Sequence, residues 1–142
     1  MIFDKETMFC EGQAVTADAA STNYIDLGTT GTPFGSDTAL TRDIGKGSSI
    51  PLSINVVEAF NNATSVKVAL QVDDNTSFSS AATVAERTYA LAELAGGQLQ
   101  FPDYIPEGAN ERYLRLYFDV TGTAPTTGKF TAGVVAGRQT NY

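Results

Sequence analysis

Histidine and tryptophan are both absent from this chain, and there is a single cysteine, Cys10. The lack of histidine removes Ser-His-Asp and Cys-His arrangements together with the commonest metal ligand. Acid–base chemistry would fall to carboxylates, lysine or tyrosine, so the chain is not expected to be an enzyme. One cysteine excludes an intrachain disulfide and reads as a small buried hydrophobe. No apolar run approaches the roughly 20 residues that span a bilayer, so no membrane partner is expected. Residues 1–12 carry acids inside their apolar stretch and lack a cationic leader, which makes a poor signal peptide. A protein made and used, or assembled, in the cytoplasm is expected.

Basic residues are also few. Nine Lys and Arg stand against 16 Asp and Glu, a formal net charge of −7. Affinity for phosphate backbones rests on clustered Lys and Arg, so nucleic acid is not an expected partner. Acidity of this degree is read as solubility. The 142 residues suit one domain, 1–142, with enough apolar material (42%) for a core.

What the chain does have is alternation. In residues 111–122, ERYLRLYFDVTG, Arg112, Leu114, Leu116, Phe118 and Val120 share one face of a strand, and Tyr113, Arg115, Tyr117 and Asp119 share the other. Period two of this kind marks a half-buried β-strand with the leucines and Phe118 inward. Residues 50–58 repeat the pattern with Leu52, Ile54 and Val56 on one face, Pro51 belonging at the start or on an edge. In residues 65–73, Val66, Val68, Leu70 and Val72 alternate with Lys67, Ala69 and Gln71. Shorter strands are expected near 13–17, 24–27, 83–89, 98–101 and 129–136, with Phe130, Ala132 and Val134 on one face of the last. After 83–89 at most one helical turn follows, and Asn61-Asn62 is a turn. About eight short antiparallel strands separated by Gly, Pro, Thr and Asn turns predict an all-β sandwich or barrel.

Candidate chemistry is thin. Asp73, Asp74, Asn75 and Ser77 offer close-spaced oxygens of the kind calcium takes, but not in EF-hand spacing; turn chemistry accounts for them. Asp103, Glu107 and Glu111 sit in a proline-bounded loop, where carboxylates are ordinarily solvated. Residues 45–49, GKGSS, lack the Walker spacing. No catalytic residue, metal site or cofactor is therefore expected. Tyr113, Arg115 and Tyr117 form a stripe of residue types enriched at interface hot spots; a second layer of the same protein covering them is the equal alternative. Residues 1–12, with Ile2, Phe3, Met8 and Phe9, are too apolar for a free tail. They form either an edge strand or an arm that docks on a neighbour.

One resemblance covers most of the chain. Arg112-Tyr-Leu-Arg-Leu-Tyr-Phe-Asp-Val-Thr-Gly122, followed by Gly128-Lys-Phe-Thr-Ala-Gly-Val-Val135 and joined by the opening Met1-Ile-Phe-Asp-Lys-Glu-Thr7, resembles the jelly-roll capsid cement (decoration) proteins of tailed bacteriophages. Ala17 to Leu27 fits the same family more loosely. The resemblance implies a jelly-roll-like β-sandwich that sits on the outside of an assembled capsid and clamps copies of the major capsid protein. It further implies a homo-oligomer, a dimer first and a trimer second. The rival expectation is a carbohydrate- or cell-binding sandwich of a tail fibre, with Tyr113 and Tyr117 as platform; a small hydrolase ranks last. On the cement reading the contact residues are Ile2, Phe3, Met8, Phe9, Tyr113, Arg115 and Tyr117.

Overall fold

The computed structural model describes residues 2–137. Its strands are β1 (Phe3–Ala14), β2 (Ala19–Ala20), β3 (Ile25–Asp26), β4 (Leu52–Glu58), β5 (Ala63–Asp73), β6 (Ala82–Ala90), β7 (Gly97–Gln98), β8 (Tyr113–Gly122) and β9 (Lys129–Val135). A single 3₁₀ turn, Leu91–Leu94, follows β6. Two antiparallel sheets result, one ordered β1-β9-β4-β7, the other β2-β8-β5-β6 with β3 also on β8. Counting β2 and β3 as one interrupted strand gives eight, each successive strand changing sheet except β5 to β6, which pair within one sheet, in the two-Greek-key order of a jelly roll. The protein is an all-β sandwich.

Alternation places the core. Leu114, Leu116 and Phe118 of β8 are fully buried, as are Val66, Val68 and Leu70 of β5. The two strands are neighbours in one sheet, pairing Val68 with Phe118, Leu70 with Leu116 and Val72 with Leu114. Of the two sets of residues that could oppose Leu114, Leu116 and Phe118, namely Val66, Val68 and Leu70 or Phe130 and Val134, the first lies beside them in the same sheet. The opposing layer comes from β9, where Phe130 stacks on Phe118 at 4.8 Å, with Phe60 tilted against Phe130 at 4.8 Å. Such aromatic pairs add about 0.5–1.5 kcal/mol beyond the area they bury. Val134 is only half-buried, at the end of that face.

The packing of this trio fixes one glycine. Gly128 enters β9 at φ +132°, and a Cβ there would lie 2.3 Å from the Phe60 ring. Residues 123–128 are not the hairpin loop their turn residues suggest, because β8 and β9 lie in different sheets, and only glycine lets the chain crossing between them pass so close to the ring. Gly45 is constrained differently: a Cβ would sit 1.9 Å from the Pro106 carbonyl oxygen. Gly45 therefore holds a long loop against Pro106, and Asp43 helps by accepting the Gly45 and Gly108 amides.

β1 is the main departure from simple alternation. Its 12 residues face only seven in β9, with register shifts between Phe3 and Met8, Met8 and Cys10, and Cys10 and Gln13. Bulges of this kind bend a strand and re-aim its side chains. Met8, Phe9 and Cys10 are consequently buried in succession. The Cys10 thiol donates toward the Phe130 carbonyl, and burial raises its pKa to about 12. The segment expected to be an edge strand or a docking arm is the edge strand. Phe9 lies wholly inside the monomer, so the interface role assigned to it gives way to a core role.

Candidate functional site

The outer face of the β8 sheet gathers the aromatic and guanidinium side chains. Tyr113, Arg115 and Tyr117 project outward from β8, all half-buried. No second layer of strands covers them among the described residues. Two residues that sequence reasoning did not single out cover them in part. Tyr24, just before β3, sets its ring edge-on to Tyr113 at 5.5 Å. Phe78, from the β5–β6 connection, lies 6.3 Å from Tyr24 and places its ring 4.2 Å from the Arg115 guanidinium.

Phe78 reaches that position through a strained backbone. Its φ of +51° is left-handed, uncommon for a residue without special need of it. The Asp73 loop holds it there. Buried Asp73 accepts hydrogen bonds from the Asn75 amide at 3.2 Å, the Ser80 amide at 2.9 Å and the Ser80 hydroxyl at 3.1 Å. The Phe78 amide itself donates to the Asn75 carbonyl. The close-spaced oxygens of Asp73, Asp74 and Asn75 are thus turned toward their own loop. Among the described residues, no group of three His, Cys, Asp or Glu side chains is placed to hold a metal ion.

Arg115 is clasped on several sides. Its Nε donates to Gln71 Oε1 at 2.9 Å, and the Tyr117 ring lies 5.4 Å from the guanidinium. Desolvation lowers its pKa somewhat, against the pull of Tyr117 and Asp73. Arginine stays protonated under any such shift. Two rows along the same face, Lys67 is held between Asp119 at 3.2 Å and Glu86 at 3.8 Å.

At the β3 end of this face, Arg112 binds Asp26 with both arms of its fork, Nε to Oδ1 at 2.7 Å and Nη2 to Oδ2 at 2.9 Å. That bond, with the Gly28 amide, lowers the Asp26 pKa to about 2. A carboxyl whose folded pKa lies below its unfolded value of about 3.9 contributes stability above that value. The contribution is lost as pH falls through the folded pKa. Thermal midpoints should therefore drop between about pH 4 and pH 2, and D26N should flatten the drop. Some slope will remain, because Lys129 also lowers the Glu58 pKa. An unchanged profile in D26N would contradict the assignment.

The remaining interface candidates scatter. Ile2 is 73% exposed, Phe3 is half-buried, Met8 is nearly covered and Phe9 is inside. Phe3 packs on sheet β1-β9-β4-β7, where a Cβ on Gly133 would meet its ring at 3.2 Å. These residues do not join Tyr113, Arg115 and Tyr117 in one patch, because β1 and β8 lie in different sheets. Of the carboxylates near β8, Asp103 and Glu107 are exposed and Glu111 is half-buried. Sequence could have found Tyr24, since Ile25 points inward and its neighbour must point out. Phe78 left no periodic signal.

The family model Bbp16 matches residues 9–134. The chain belongs to the Bbp16 family. The match begins inside β1 at the buried Phe9 and runs to Val134 of β9, so it covers part of every strand of both sheets, β2 to β8 in full, and the whole Tyr24–Phe78–Arg115 face. No curated protein matches the chain.

Proposed function

We propose that this Bbp16-family chain is a viral structural protein, a capsid cement or decoration protein of a tailed bacteriophage. It binds the outer surface of the assembled shell, bridges adjacent copies of the major capsid protein, and does so as a homo-oligomer, a dimer before a trimer. The observation that carries the reading is where the cement-like residues fall. Residues 112–122 and 128–135 contain β8 and β9, the strands inside the two sheets of a jelly roll, and all but Val135 lie within the Bbp16 match.

The physical chemistry of the chain supports the role. A cement protein requires a rigid scaffold and contact surfaces, not reacting groups. It strengthens a shell by binding the assembled form in preference to free subunits, which is linkage. Many copies acting together convert modest contacts into strong retention. A net charge of −7 disfavours contact with a packaged genome.

Tyr24, Tyr113 and Tyr117 together give a second reading some support, since exposed rings can stack on sugars in a tail-fibre module. Co-sedimentation with empty capsids, run beside a glycan array, separates the two. The cement reading predicts saturable pelleting with capsids and an empty array. Glycan binding without pelleting would replace it.

A further inference from the structure

Arg115 combines three properties that seldom coincide at random on a surface. Its orientation is fixed, because Gln71 takes the Nε proton and the Phe78 and Tyr117 rings line the guanidinium. Phe78 is in turn anchored by the Asp73 network, so the clasp is preorganised. And among the described residues no carboxylate lies within ion-pair distance of Arg115, whereas Lys67 has two and Arg112 has one. No buried polar side-chain atom lacks a partner among the described residues. The two Nη groups therefore reach the surface with their donors open.

We propose that Arg115, clasped by Phe78, Tyr117 and Gln71, is a receptor for a single carboxylate side chain presented by the partner protein. The partner's identity rests on the cement reading above; the ligand chemistry does not. A guanidinium fork matches a carboxylate with two parallel bonds. Phosphate shares that geometry but brings nearly two charges at neutral pH. This site offers one cation, in a chain of net charge −7, with Lys67, two rows along the face, already neutralised by Glu86 and Asp119. The half-buried Tyr117 ring beside the guanidinium suits the short apolar stem of an Asp or Glu. Ordering costs are low, because the arginine is already held where the bond needs it.

The isolated protein tests the chemistry and capsids test the partner. Sodium propionate is titrated at constant ionic strength while arginine Nε–H and tyrosine ring resonances are followed by NMR. Arg115, Tyr113 and Tyr117 should respond saturably and at lower propionate than Arg112, already bound to Asp26. R115K, which keeps charge but loses the fork, should abolish the response with the sheet spectrum intact. No saturable response, or a stronger one to phosphate at equal concentration, overturns the carboxylate assignment. In co-sedimentation, R115Q should weaken capsid retention roughly 30-fold, the scale of a hot-spot truncation. If wild type pellets and R115Q pellets equally well, this inference fails while the cement reading stands. If wild type does not pellet at all, the cement reading fails, and the propionate titration alone decides the inference.

Discussion

Deleting residues 2–9 is expected to abolish folding, not merely assembly. β1 is the edge strand beside β9, and Phe9 is fully buried in the core. The Phe9 carbonyl accepts the Asn23 amide at 2.9 Å, and the Ile2 carbonyl accepts that of Ala136 at 3.2 Å. Emptying the Phe9 site alone should cost about 3–5 kcal/mol. Removal of Met8 and of the ladder to β9 adds to that loss. Domains have about 5–15 kcal/mol in all, so little or nothing remains. Circular dichroism of the truncated chain should show no cooperative melt. A truncated protein that melts cooperatively with native sheet signal, yet fails to bind capsids, would restore the docking arm.

The second large effect belongs to Leu116. It is fully buried, pairs with Leu70 on β5, and its backbone is fixed on the other side by Ser21. The Ser21 amide donates to the Leu116 carbonyl at 2.8 Å, and the Leu116 amide donates to the Ser21 hydroxyl at 3.1 Å. A strand held from both sides cannot shift to fill a void. L116A should therefore cost about 2–5 kcal/mol, read from denaturant melts. A loss under about 1 kcal/mol would mean that Leu116 does not face the core, which contradicts the β8 register.

β4, β5 and β8 were legible because each has one face in the core and one outside, so period two survives intact in the residues. β1 was obscured by its bulges, which bury Met8, Phe9 and Cys10 in succession where a regular strand would alternate. β6 shows only Tyr89 buried along its length, so the strand expected over 83–89 carries little alternation and is fixed by its pairing with β5. The stripe of Tyr113, Arg115 and Tyr117 followed directly from the β8 alternation. The clasp around Arg115 did not. It depends on a left-handed Phe78, an acid turned into its own loop and a tyrosine some 90 positions away in sequence, relations that have no local period.

The central claim is that the protein stabilises an assembled shell, and calorimetry of shells tests it most directly. Empty capsids are melted bare and at saturating protein, with free capsid subunits melted in parallel. Preferential binding to the assembled form predicts a higher melting temperature for decorated shells, rising with protein concentration, and no shift for free subunits. Bare and decorated shells that melt at the same temperature would contradict it.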